Sequence, residues 1–176
     1  MIVSLLKYTG LYVLIVLIQL YILNNVFIGN FYAFLFQPQL IVMFILLLPP
    51  GMPHTWLVLV SFLAGFMFDV FFQSWGVHAA VATFVGFVRH YATRDIENVI
   101  AAREEENQIW TSKKGSAWKW TYFITFIAIY HFLFLLLDSM GHNFFTRLLP
   151  SFISSTLIAF ALILVLENLI YKPARN

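Results

Sequence analysis

Asp69 and His78 stand where a bilayer would make them costly. They lie within S-F-L-A-G-F-M-F-D-V-F-F-Q-S-W-G-V-H-A-A-V-A-T-F-V-G-F, residues 61–87, a nearly continuous apolar stretch. A charged side chain at bilayer depth costs about 2.5–3.5 kcal/mol on insertion scales, so an intramembrane acid marks a site by default. The chemistry open to Asp69 is narrow. Its carboxylate can accept hydrogen bonds from a partner helix, hold a proton or cation, or pair with the His78 imidazole. The plain alternative is that both are helix-end groups reaching polar headgroups. Around them Gly65, Gly76, Ala79, Ala80, Ala82 and Gly86 supply the small side chains that let helix backbones approach closely.

No other constellation for catalysis is visible. The histidines, His54, His78, His90, His131 and His142, include no His-Glu-x-x-His spacing, and there is no Gly-x-Ser-x-Gly and no glycine-rich phosphate loop. Absence of cysteine removes disulfides, thiol catalysis and cysteine-ligated metals. The expectation is therefore a non-enzymatic protein with no catalytic residue, no metal and no cofactor. Asp138, His142 and Arg147 form a candidate anionic-headgroup contact, with a solvated loop as the plainer reading. Glu167 and Lys172 suit snorkelling at a helix end. The Arg89–Lys119 segment carries Arg89, Arg94, Arg103, Lys113, Lys114 and Lys119 beside Asp95, Glu97 and Glu104 to Glu106. Its mixed charge argues against nucleic acid and for a surface beside anionic lipid.

The elements that must position these residues follow from composition. The chain is 61% hydrophobic and only 10% charged, against about 25% charged in soluble domains. It reads as an all-α integral membrane protein, one domain over residues 1–176, with six spans near 3–23, 31–48, 54–72, 75–92, 117–137 and 150–171 and a cytoplasmic loop at 93–116. The first span is read as uncleaved, because Asn24 and Asn25 follow it rather than a small-residue cleavage site. Pro38 breaks the second, so the chain from Phe31 enters the membrane irregularly, shielded by protein. The third and fourth spans are joined so tightly that they form an antiparallel hairpin, which brings Asp69 and His78 to one end. Ile96, Val99 and Ile100 recur at helical spacing and extend the fourth helix beyond the membrane. Ser61 and Gly65, Gly76 and Ala80, Ala82 and Gly86, and Ser151, Ser155 and Ala159 each line one helix face. With both termini cytoplasmic, nine Lys and Arg face inward and only Arg147 outward, which the positive-inside rule favours.

From Pro38 to Arg89 the chain resembles the MreD family, the membrane subunit of the bacterial rod-shape and cell-wall elongation machinery. Pro38 followed by Leu40 resembles the family's second span. Gly65 and Asp69 match its Gly-x-x-x-Asp helix end, Gly76, His78 and Ala79 its Gly-x-His-Ala opening of the next helix, and Arg89 closes that helix. Phe66, Met67 and Phe68 depart from the usual leucines and small aliphatics, and His90 from a frequent proline. The resemblance implies a scaffold in the bacterial inner (cytoplasmic) membrane whose fold is similar to the substrate-binding components of energy-coupling-factor transporters. Its implied partners are an MreC-like single-span protein, MreB filaments, a RodA-type glycosyltransferase and its penicillin-binding transpeptidase, together with membrane lipid. The site residues it implies are Pro38, Gly65, Asp69, Gly76, His78, Ala79 and Arg89, in partner-binding or structural roles. Two rivals are a small-molecule-binding transporter subunit and a membrane enzyme acting on lipid.

Overall fold

The computed structural model describes residues 2–23, 37–49, 51–101, 115–138 and 144–170, and among them every regular element is helical. Residues 31–36 of the expected irregular entry, most of the loop before Gly115 and His142 lie outside the described residues. Helix α1 spans Ile2–Leu17 and continues as a π-helical turn, Ile18–Leu23. Helix α2 is short, Ile41–Leu47. It is followed by α3, His54–Phe72, α4, Val77–Ala101, α5, Gly115–Asp138, and α6, Phe144–Ile170. Residues 54–72, 120–138 and 148–166 are long and apolar enough to cross a membrane, consistent with a membrane protein.

Helix α2 sits at the centre. It packs against α1, α3, α4 and α5. All its residues, Ile41 to Leu47, are buried, as are Leu40 and Leu48 at its ends. A helix of this length rises only about 10 Å, so it cannot span a bilayer and must be shielded by longer helices. The reason is local. Pro38 offers no N–H and disfavours helical geometry just before it, and Pro49 follows the last turn.

The most extensive contact is between α3 and α4, and small residues make it possible. A Cβ at Gly65 would lie 2.5 Å from the His78 carbonyl oxygen and 2.7 Å from Ala79 Cα. One at Gly86 would collide with the Ser61 side chain. The Ser61–Gly65 and Ala82–Gly86 faces therefore close on each other within the chain. Gly76 differs, because nothing lies within 4 Å of its Cβ position and it has φ +89. It serves the turn by conformation rather than by close approach, and Ala80, on the same helix face, is exposed.

One boundary falls as expected and another moves. Helix α4 runs on to Ala101, as the spacing of Ile96, Val99 and Ile100 suggests. Helix α6 begins at Phe144 rather than at Pro150, which lies inside its second turn. A proline there leaves one intrahelical bond unmade in the second turn.

Candidate functional site

Asp69 caps two helices at once. Its backbone carbonyl accepts the N–H of Gln73, which ends α3 in the left-handed region at φ 53, and that of Ser74 at 3.3 Å. Its carboxylate turns toward the start of α4, where Oδ1 accepts the His78 N–H at 2.9 Å and Oδ2 the Ala79 N–H at 2.7 Å. The Ser74 hydroxyl also donates to Oδ1. The first N–H groups of any helix lack intrahelical partners, and here all are satisfied. Val77 N donates to Ser74 O at 3.1 Å, Ala80 N to Gly76 O at 3.0 Å, and the two between them to Asp69. A carboxylate at a helix N-terminus also meets the positive end of the helix dipole. The acid in the apolar run is thus held by backbone amides and the Ser74 hydroxyl, not by the His78 ring.

The His78 ring points into the bundle instead. It is 2% exposed, shares a 3.0 Å hydrogen bond through Nδ1 with the Tyr130 hydroxyl, and stacks on Phe134 at 4.7 Å between centroids. Phe68 and Phe72 approach its edges. Its role is to tie α4 to α5. Ala79 is buried against Gly65.

The second polar assembly surrounds the chain leading into α2. Gln19, on the π-helical turn, donates from Nε2 to Pro38 O at 2.9 Å and accepts from Leu40 N–H at 3.0 Å. From the other side, Ser155 Oγ on α6 accepts the Gln37 N–H at 2.9 Å, and His131 Nε2 on α5 accepts the Gln39 N–H at 3.0 Å. Gln37 and Gln39 thus bond toward α6 and α5, and Pro38 and Leu40 toward Gln19. Non-helical backbone survives at membrane depth only where protein satisfies it, and Gln19, His131 and Ser155 do so from three different helices. His131 Nδ1 lies 2.8 Å from Ile127 O. Because Nε2 accepts, Nδ1 carries the proton and donates to that carbonyl, which fixes the neutral tautomer.

Arg89 holds the far end of α2. It is 0% exposed, donates from Nη2 to Leu48 O at 2.6 Å and from Nε to the Tyr122 hydroxyl at 3.1 Å. A cation at a helix C-terminus meets the negative end of the dipole. Arg89 therefore belongs to the interior, not to the solvated charges among which the sequence counts it. Among the buried side-chain atoms without a partner are Arg89 Nη1, Gln37 Oε1, Gln39 Oε1 and Thr156 Oγ1.

Pro38, Gly65, Asp69, Gly76, His78, Ala79 and Arg89 thus fall into two places, the α3–α4 turn with its packed faces and the ends of α2. Gln19, His131, Tyr122 and Tyr130, which carry no motif, complete these places together with Ser155 of the small-residue face on α6. Their signal is simpler, since a glutamine or histidine inside an apolar helix must bond something, and the Pro38 break leaves backbone groups that need partners. An open apolar groove of about 290 Å³ runs between α1 and α3 over Phe44 of α2 and Leu48 just after it, lined also by Tyr12, Leu63, Ala64 and Met67. The Tyr12 hydroxyl ties its walls by donating to Ala64 O at 2.9 Å. Among the described residues no group of three His, Cys, Asp or Glu is placed to hold a metal. Compared with protein-family models, with curated proteins and with solved structures, the chain matches none.

Proposed function

We propose that this chain is a non-enzymatic scaffold of the MreD kind, a six-span protein of the bacterial inner membrane that binds an MreC-like single-span partner in the cell-wall elongation complex. In that setting it sits near MreB filaments, a RodA-type glycosyltransferase and its penicillin-binding transpeptidase. Both termini are cytoplasmic, and with Arg89 removed from the count the positive-inside balance is still eight to one. The remaining spans beyond the three long apolar helices are α1, α4 and the Pro38-broken segment ending in α2, in an arrangement like the substrate-binding components of energy-coupling-factor transporters.

The observation that carries this reading is where the polar groups go. Asp69, His78, Arg89 and His131 are all buried, and each bonds the chain's own backbone or a tyrosine. They rigidify the bundle. What the bundle offers outward is apolar: Leu63 and Met67 along the α1–α3 groove, and Phe62, Phe66 and Val70 on α3. A rigid bundle with apolar helix faces suits recognition of another membrane helix by packing. The test is recovery of the tagged full chain from native membranes with mass spectrometry of what accompanies it. A single-span protein with a large extracytoplasmic domain at near-equal amount is the expected result, and its absence under mild extraction contradicts the reading.

A second reading rests on a different observation. The unpartnered acceptors Gln37 Oε1, Gln39 Oε1 and Thr156 Oγ1 would suit a small solute with N–H or O–H donors, as in a binding subunit of an energy-coupling-factor-type transporter. A solute retained through purification, lost in Gln39→Leu, would move that reading to the front.

A further inference from the structure

The α3–α4 turn displays one aromatic side chain that the fold itself does not use. Trp75 is 100% exposed. It also sits at φ 52, in the left-handed region, where a bulky side chain costs roughly 1–2 kcal/mol relative to glycine. Gln73 at φ 53 and Gly76 at φ +89 share that region. The turn is held in this form by Asp69 through Ser74, His78 and Ala79. Among the described residues no ring contact places Trp75 against the bundle. A strained position presenting a large aromatic outward points to a contact outside the chain.

Register along α3 says what that contact is. The apolar helix His54–Phe72 carries a second exposed tryptophan, Trp56, in its first turn. From Trp56 to Phe72 the helix rises about 24 Å, and Trp75 lies just beyond, so the two indoles are separated by close to the ~30 Å hydrocarbon thickness of a bilayer. Between them the exposed side chains of α3 are apolar: Leu59, Phe62, Leu63, Phe66, Met67, Val70 and Phe71. An indole has an apolar body and one N–H donor, which suits the layer of ester carbonyls and headgroups where tails give way to water.

We propose that Trp75 is a lipid anchor: the Asp69-capped turn seats its indole in the carbonyl and headgroup layer of the adjoining leaflet, while Trp56 marks the opposite layer, so that the pair fixes the depth of the α3–α4 hairpin. The occupant at the Trp75 indole is lipid rather than a soluble partner. The proposal does not depend on the scaffold reading or on which leaflet is which.

Fluorescence of the full chain in phosphatidylcholine vesicles tests it. Replacing Trp56, Trp110, Trp118 and Trp120 by Phe leaves Trp75 as the sole indole, and the matching variant that keeps only Trp56 is its companion. The expected result is a blue-shifted Trp75 emission relative to free tryptophan amide, loss of most iodide quenching, and stronger quenching by lipids brominated near the glycerol end of the chain than by those brominated near its methyl end. Emission at the free-indole position with full iodide quenching, which a docking surface for an aqueous partner would give, overturns the proposal. So does strongest quenching by the deep bromines. If the multiple Phe replacement unfolds the chain, the absence of cysteine provides a second route. Trp75→Cys carrying a nitroxide is expected to show intermediate accessibility to both oxygen and an aqueous nickel chelate, between Phe71→Cys, reached mainly by oxygen, and free label in water. Accessibility equal to either extreme overturns the proposal.

Discussion

Replacing Asp69 by leucine removes the group that closes one helix onto the next, and the structure sets the size of the loss. The carboxylate accepts from the His78 and Ala79 N–H groups and from the Ser74 hydroxyl. Leucine leaves two buried amides without acceptors, at about 1–3 kcal/mol each. Relief of a buried charge returns part of this, so the net loss expected for Asp69→Leu is about 2–4 kcal/mol. Asp69→Asn keeps one acceptor oxygen but turns an NH₂ toward Ala79 N–H or its neighbour, for a loss of about 1–2 kcal/mol. Ser74→Ala removes only the part-buried hydroxyl bond, about 0.5–1.5 kcal/mol. The order Leu, Asn, Ser74→Ala is read by steric-trap unfolding in bicelles. In cells, Asp69→Leu inserts normally but recovers less partner at equal expression. Asp69→Leu as stable as the parent, or less damaging than Ser74→Ala, refutes the account of the turn, and unchanged partner recovery refutes the link from turn to complex.

Other outcomes follow from the same geometry. Gly65→Ala brings a Cβ to 2.5 Å from the His78 carbonyl oxygen and is expected to lose at least the ~1–3 kcal/mol typical of overpacking. Gly76→Ala, in open space but at φ +89, loses only about 1–2 kcal/mol, and a larger loss there than at Gly65 would contradict the assignment of roles. Gln19→Leu leaves Pro38 O and Leu40 N–H unpaired, and His131→Phe leaves Gln39 N–H unpaired. Each buried orphan is expected to cost about 1–3 kcal/mol and to speed amide exchange at residues 39–41, measured by mass spectrometry in nanodiscs. Arg89→Met removes the donor to Leu48 O and is expected to loosen α2 at its C-terminal end while leaving exchange at the α3–α4 turn unchanged.

How much was legible in the sequence depends on whether a residue's duty is local. The α3–α4 hairpin and the Pro38 break were legible, because proline chemistry and run length act within a few residues. That the small residues of α3 and α4 meet each other was only one reading of their spacing, since spacing gives a face and not its partner. Gly76 looked like a packing glycine and proves to be conformational, because nothing in sequence distinguishes a missing Cβ that makes room from one that permits positive φ. Asp69 and His78 stand out in the sequence as polar groups in an apolar run, and their side chains go different ways. The carboxylate reaches amides nine and ten residues on, and the ring reaches a tyrosine on another helix. Arg89 looked like the first charge of a cytoplasmic segment. Only the fold reveals that Leu48 O, the end of a buried helix, lies beside it.

We propose that the apolar outside of the rigid bundle receives the helix of a single-span partner. Photo-crosslinkers placed in turn at Leu63 and Met67 in the α1–α3 groove, and at Ile153 on α6, test it in native membranes with mass spectrometry of the products. Capture at Leu63 or Met67 of one single-span protein with a large extracytoplasmic domain is the predicted result. Lipid adducts alone at all three positions, with the chain at native abundance, would contradict it.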